Sequence, residues 1–175
     1  VGCYTGYNNT TAERHTFVGY YAGYYNTEGY YNSFFGYMAG YSNTTGYRNS
    51  FFGYYAGYSN TEGYYNSFFG HLAGVYLADG SSANENSIYS VFLGANTKSK
   101  QANQTNEIII GYNAIGEGSN TIRLGNTSIT DVVTSGVIKS GGYKSSDGSA
   151  GITKTIEIKD YDNKTHTLTF KNGIL

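Results

Sequence analysis

The sequence predicts an all-β fold: a parallel β-solenoid, or β-roll, with rungs of about 17 residues, followed by a small C-terminal β-hairpin module. Three observations predict it: a strict internal repeat, glycine spaced too closely for helices, and alternating apolar residues near the end. The 175 residues include 25 glycines and 21 tyrosines but no proline or tryptophan. Charged residues make up 13%, about half of the ~25% usual in globular domains.

The repeat is clearest in four motifs that stand 17 residues apart: Phe17-Val18-Gly19, Phe34-Phe35-Gly36, Phe51-Phe52-Gly53 and Phe68-Phe69-Gly70. The full unit is Asn-Ser-Phe-Phe-Gly-Tyr-x-Ala-Gly-Tyr-x-Asn-Thr-x-Gly-Tyr-x. Such a unit is too short for the helix pairs of helical repeat proteins, and its glycines would break a helix. Two short strands and two tight turns per rung are expected instead. Glycine supplies positive φ at the turns, with Asn-Thr-x-Gly as the more obvious corner.

The repeat continues in weaker form to about residue 135, which bounds the predicted solenoid at 1–135. Insertion of residues 78–87 lengthens one interval to 24 residues and is expected to bulge out as a loop. Counting from Gly2, the pattern predicts eight rungs and a rod of roughly 40 Å. The predicted turn glycines are Gly19, Gly36, Gly53, Gly70, Gly94, Gly111 and Gly125.

The paired phenylalanines predict association of chains. Neighbouring side chains of a strand point to opposite faces, so Phe34 and Phe35 cannot both fill one narrow interior. Leaving a column of rings exposed would forfeit ~1.5–3 kcal/mol per ring, and packing three chains round a common axis would bury it. An intertwined homotrimer is therefore expected. The alternative is a two-layer monomer with the second ring under the C-terminal segment. The predicted core residues are Phe17, Phe34, Phe35, Phe51, Phe52, Phe68 and Phe69.

The remaining residues, 136–175, form the predicted C-terminal module. Ile152, Ile156 and Ile158 alternate with polar residues, and Leu168 and Phe170 share one face of a second strand. The polar turn over residues 160–164 joins them as a hairpin. A cap or trimerisation clamp is the preferred role, because an open solenoid end exposes unpaired strand edges. A receptor-binding tip is the alternative.

Composition and spacing argue against several functions. The net charge of −1 comes from scattered residues, so neither nucleic acid nor membrane insertion is expected. The lone Cys3 has no base nearby, and His15, His71 and His166 lack neighbours at metal-ligand spacing. Glu28 and Glu62 recur at equivalent corners, but they are too far apart to act as a catalytic pair of general acid and general base. The sequence therefore predicts no enzyme, no metal and no cofactor.

The tyrosine array is the remaining chemical feature. Tyr30, Tyr47 and Tyr64 form one column, and a second consists of Tyr24, Tyr41 and Tyr58. Stacking between rungs is the favoured role, at ~0.5–1.5 kcal/mol per ring pair. Exposed phenols also bind sugars, and charge joins two aromatic rings in one further column. The predicted receptor-binding residues, with a host surface glycan as ligand, are therefore Tyr31, Arg48 and Tyr65.

The repeat unit resembles the head repeats of trimeric autotransporter adhesins and, more closely, the Tyr-rich repeats of phage tail fibres. The similarity covers residues 1 to about 130 and includes 120–130, which looks like the segment before the chaperone domain of many phage fibres. Residues 140–151 and 167–175 are similar to short terminal modules of phage tail proteins. The resemblance implies a virion fibre or tail appendage that attaches to the host surface, with other virion proteins as partners.

Two other functions stay open at this point. A bacterial trimeric surface adhesin would place the chain on the cell surface, with a coiled-coil stalk and membrane anchor downstream. An ice-binding solenoid would need a flat, regular array of threonines. The repeat offers one per rung, at corners such as Thr27, Thr44 and Thr61.

Overall fold

The computed structural model describes residues 1–133 together with the strands at 155–159 and 165–169. The chain divides into two compact units, Val1–Thr130 and Asp131–Leu175. The sequence predicts the boundary between solenoid and C-terminal module at residues 135 and 136. Every regular element in the described residues is a β-strand, and none is a helix.

The first unit is a parallel β-solenoid of about six turns, in which one seven-stranded sheet runs in strict chain order. Each strand pairs in parallel with the next, so Phe17 lies beside Phe34 and Phe34 beside Phe51. The 24-residue interval keeps the same register, with Phe68 beside Phe92. The strands are β1 (Thr16–Val18), β2 (Ser33–Phe35), β3 (Ser50–Phe52), β4 (Ser67–Phe69), β5 (Val91–Leu93), β6 (Ile108–Ile110) and β7 (Ile122–Leu124).

Each rung contributes one strand to this sheet, so the expectation of two strands per rung is wrong. The opposite side, which carries Gly-Tyr-x-Ala-Gly-Tyr, is a series of tight turns. Within a rung the Ala22 amide donates to Gly19 O at 3.3 Å, and between rungs the Gly23 amide donates to Ala39 O at 3.0 Å. The expectation of eight rungs is also wrong for the sheet, because the residues around Gly2 form no strand.

The interior is one column of stacked aromatic rings. Phe34, Phe51, Phe68 and Phe92 are completely buried, and Ile109 continues the column. Neighbouring ring centroids in this column are 4.6–4.9 Å apart. Alanines of the opposite side, including Ala39 and Ala56, pack against it. Neighbouring side chains of a strand point to opposite faces, so the predicted core residues Phe35, Phe52 and Phe69 lie on the outer face of the sheet rather than in this interior.

Two columns of buried asparagines line the corners of the interior. In one, the Asn43 side-chain amide donates to Asn26 Oδ1 at 2.6 Å and to Gly46 O at 2.8 Å. In the other, Asn32 Oδ1 accepts the backbone amide of Asn49 at 2.9 Å. These side chains satisfy backbone groups that turns would otherwise leave unpaired inside the solenoid. They therefore hold successive rungs together as well as capping turns.

The glycines serve two different purposes. The predicted turn glycines have positive φ, between 123° and 143° for those before Gly125 and 78° at Gly125. The glycines of Asn-Thr-x-Gly were also expected to supply positive φ, but they are not among the positive-φ residues. A Cβ on Gly46 would lie 2.6 Å from Gly63 O, so this position requires glycine for close approach of rungs.

The insertion is a short protrusion closed by an antiparallel bridge between Tyr76 and Ala83. Its tip is exposed, whereas Asn84 returns to the buried interior. Hydrogen bonds from the Ser82 hydroxyl and the backbone amides of Ser81 and Ser82 lower the pKa of Asp79 to about 2. The predicted bulge over residues 78–87 is thus narrower in the structure.

The second unit is described only through its two strands. Strand β8 (Thr155–Lys159) pairs antiparallel with β9 (Thr165–Thr169), with Ile156 beside Leu168. The predicted turn at 160–164 and the residues of the predicted strands outside these bounds, including Ile152 and Phe170, lie outside the described residues.

Candidate functional site

The outer face of the sheet carries a continuous apolar column, hereafter the outer column. The Phe35 and Phe52 rings stack at 4.6 Å between centroids, and those of Phe52 and Phe69 at 4.9 Å. Phe69 is 37% exposed, in contrast to its fully buried neighbour Phe68. The members of the outer column are Val18, Phe35, Phe52, Phe69, Leu93, Ile110 and Leu124.

The same face becomes more apolar toward the C-terminal end of the solenoid. The first residue of each strand also points outward, since side chains two apart share a face. It is serine in β2, β3 and β4, but Val91 in β5, Ile108 in β6 and Ile122 in β7. The outer face therefore presents two parallel apolar columns over its last three strands.

The tyrosine columns predicted from the repeat are stacked. The rings of Tyr30, Tyr47 and Tyr64 are 4.8–4.9 Å apart and within 8° of parallel. The Tyr41 and Tyr58 rings are 5.0 Å apart. Their faces contact the rungs above and below, so mainly ring edges and hydroxyls reach solvent. This geometry supports the role of tyrosine in joining rungs.

The predicted receptor-binding residues lie together in one exposed column. The Arg48 guanidinium carbon is 5.5 Å from the Tyr31 ring centroid and 5.0 Å from that of Tyr65. Arg48 also donates a hydrogen bond to the Tyr65 hydroxyl. Tyr31 and Tyr65 are 43% and 40% exposed. The arginine is thus held between two phenol rings by cation–π contacts.

The column is longer than the sequence analysis predicted, and we call all five residues the cation–aromatic column: Arg14, Tyr31, Arg48, Tyr65 and Tyr89. The Arg14 guanidinium carbon is 5.2 Å from the Tyr31 centroid, and the Tyr65 and Tyr89 rings are 5.2 Å apart. Arg14 stands one repeat before Tyr31 in the sequence, so the period alone was sufficient to find it. Tyr89 was hidden by the insertion.

Backbone conformation sets the direction of this column. All five residues are left-handed, with φ between 53° and 63°. This conformation is unusual for bulky side chains and costs roughly 1–2 kcal/mol per residue. The equivalent position in the next two rungs holds Asn106 and Asn120, a residue type that tolerates it well.

The other candidate residues are dispersed or structural. His15 stacks on Phe17 at 4.6 Å, and His71 stacks on Tyr54 at 5.3 Å as a member of a tyrosine column. Cys3 is exposed, and Glu28 and Glu62 are exposed on separate rungs. His166 lies in β9, where the structure describes the backbone only. Among the described residues, no three His, Cys, Asp or Glu side chains form a group that could hold a metal ion.

Glu107 is a buried acidic residue that the sequence analysis missed. It is completely buried, and its carboxylate accepts hydrogen bonds from the Ser99 hydroxyl at 2.7 Å and the Gly118 amide at 3.0 Å. It occupies the rung position of Asn49 and Asn66, as the register of β5 and β6 shows. Glu107 therefore continues the buried column of Asn49 and Asn66, with a side chain one methylene longer than that of asparagine.

One depression of about 180 Å³ lies between residues 113 and 128, lined by Asn113, Ile115, Arg123 and Asn126 among others. Ligand pockets usually measure ~300–1,000 Å³. The depression is smaller than that range.

These features define a class by fold alone: the first unit is a parallel β-solenoid of short repeats with aromatic columns inside and outside. No protein-family model, curated protein or solved structure matches this chain. The described residues contain no helix of the length and apolar character needed to cross a membrane.

Proposed function

We propose that this chain is a structural fibre protein of a phage or phage-like particle, assembled as a homotrimer and used in attachment to a host surface. The observation that carries the proposal is the outer column. An isolated chain leaves this column partly exposed, although its seven residues run the whole length of the sheet. Contiguous apolar surface of this kind is typical of protein interaction sites.

Sister chains are the partners that fit this surface best. The outer column of each chain has one apolar side chain per rung, at the constant strand spacing of ~4.8 Å. The outer columns of identical chains therefore have the same spacing and can pack against each other along their full length. Within the described residues the outer column contains no charged side chain, hence its burial leaves no charge unpaired. Three chains round one axis bury all three columns, with β8 and β9 proposed as part of a cap or clamp.

Ice binding is less well supported. The hydroxyl of Thr27 donates to Thr44 O at 3.3 Å, and that of Thr44 donates to Thr61 O at 3.2 Å. These hydroxyls are half-buried and already bonded to the next rung. They form one column, whereas a flat ice-binding face needs a wider array of free groups.

The proposal is tested by locating the protein with gold-labelled antibodies raised against the whole chain. We expect label along fibres that project from phage-like particles. Label on the outer surface of bacterial cells, with none on particles, would favour the surface-adhesin alternative. Label confined to the soluble fraction would contradict both.

A further inference from the structure

We propose that the cation–aromatic column binds an acidic surface saccharide, with Arg48 contacting its carboxylate or phosphate group. This inference rests on the proposed role in attachment and assigns a ligand class to the same site. It is narrower than the prediction of a host glycan, because it requires a negative charge on the sugar.

The geometry of the rings argues against a neutral sugar stacked on them. A sugar that stacks on tyrosine needs an open ring face. In this column Arg14 and Arg48 lie against Tyr31, while Arg48 and Tyr89 lie against Tyr65. The faces are therefore covered by column members, and a ligand meets hydroxyl groups and guanidinium edges.

Charge then selects the ligand. Glu13 is 3.7 Å from Arg14 and partly neutralises it. In the described part of the chain Arg48 forms no salt bridge. On the two adjacent rungs, an acidic residue, Glu28 or Glu62, occupies one corner. On the rung of Arg48 the same corner is occupied by the uncharged Thr45. Arg48 is thus an exposed cation without an acidic residue at that position of its own rung.

Arg48 is also held in place before any ligand arrives. Its guanidinium lies between the Tyr31 and Tyr65 rings and donates to the Tyr65 hydroxyl, so these contacts restrain its position. A planar, restrained guanidinium suits two parallel hydrogen bonds to a carboxylate or phosphate. Because side chains of the column are one rung apart, the Tyr31 and Tyr65 hydroxyls flank the anion along the axis. An extended saccharide offers hydroxyl groups on both sides of a charged sugar.

The test is calorimetric titration of the full chain with three oligosaccharides of equal length: a uronate oligomer, a phosphorylated oligomer and a neutral oligomer. The two acidic probes distinguish carboxylate from phosphate as the preferred group. We expect at least one acidic probe to bind at least tenfold more tightly than the neutral one. Equal binding of all three, or no binding of either acidic probe, would overturn the inference.

Three variants locate the site. Arg48→Gln is expected to weaken binding of the acidic probe at least tenfold. Arg48→Lys keeps the positive charge but not the paired guanidinium donors, and is expected to weaken binding less. Lys100→Gln is the control, since it removes an exposed cation elsewhere, one that is paired with Glu117, and is expected to change binding less than twofold. Circular dichroism checks that each variant is folded. Unchanged binding by Arg48→Gln would contradict the site, yet antibody label on fibres would still support the proposed function.

Discussion

At the residue scale, His15 shows how a substituted repeat position changes the chemistry of the solenoid. The register of β1 and β2 places it at the position of Asn32, and its Nδ1 accepts the Asn32 backbone amide at 3.2 Å. Burial of the ring is the largest influence on His15 and lowers its pKa below the usual 6.5. The neutral ring is therefore favoured in the folded chain.

This leads to a pH prediction. The unfolded chain binds a proton more readily than the folded one, so stability contributed by neutral His15 is present above pH 6.5 and decreases as pH falls toward the lowered pKa. We expect the melting temperature to fall between about pH 7 and about pH 5 by more in the parent than in His15→Asn. His71 and His166 are common to both proteins. Identical pH profiles would contradict the prediction.

Individual residues also show what sequence can and cannot predict. The period was sufficient to place Tyr31, Arg48 and Tyr65 in one column. Their left-handed backbone was not predictable, because tyrosine and arginine rarely adopt it and the rest of the rung imposes it. Asn43 was expected to cap a turn. Its burial in a column depends on the stacking of three rungs, which local sequence does not encode.

The asparagine columns also reveal a local defect. Asn60 Oδ1 is the one buried side-chain polar atom in the described residues without a hydrogen-bond partner. The insertion follows at the next rung, where the Asn84 side chain donates to Gly74 O at 3.2 Å instead. The insertion therefore interrupts this column, and an unpaired buried group of this kind costs ~1–3 kcal/mol.

At the scale of elements, the two phenylalanines of one strand provide a matched pair. Phe51 is completely buried in the interior, whereas Phe52 belongs to the outer column and is partly exposed. We expect Phe51→Ala to lower the free energy of unfolding by ~3–5 kcal/mol through the cavity it leaves. Phe52→Ala should cost less in folding but weaken association of chains.

Denaturant unfolding and light scattering on both variants separate these effects. The parent and an exposed control, Tyr112→Ala, provide the reference for each measurement. If Phe52→Ala destabilises the fold as much as Phe51→Ala and leaves the mass in solution unchanged, the assignment of inner and outer columns to different roles is wrong.

The tyrosine columns predict sensitivity to alkali. Burial, together with a side-chain hydrogen bond between Tyr41 and Tyr25, raises the pKa of Tyr41 to about 12. Burial also raises the pKa of Tyr47 and Tyr55. The neutral phenol is favoured by folding, so its contribution to stability is present below the ordinary pKa of 10 and decreases as pH rises toward about 12.

The measurement is absorbance of ionised tyrosine, recorded together with circular dichroism during an alkaline titration. We expect part of the tyrosine to ionise above pH 10 only as the β signal is lost. Complete ionisation near pH 10, with the fold intact, would show that the stacked columns do not favour the neutral phenol.

At the scale of the whole molecule, sequence predicted the type of solenoid well because one 17-residue period dominates it. The side of each rung opposite the seven-stranded sheet was harder to predict from sequence. Ala22 and Gly23 suggested a second strand, but repeated left-handed residues such as Tyr21 and Met38 turn the chain too tightly for one. The number of chains and the role of β8 and β9 depend on contacts beyond a single chain, so both stay proposals.

The central claim is that the outer column packs against sister chains. The most direct test is the mass of the full chain in solution, measured by light scattering over a range of concentrations. One chain has a mass of 19.0 kDa, so a trimer is three times 19.0 kDa, or 57 kDa. We predict 57 kDa for the parent. A stable mass of 19.0 kDa at every concentration would contradict the shared axis and favour a two-layer monomer.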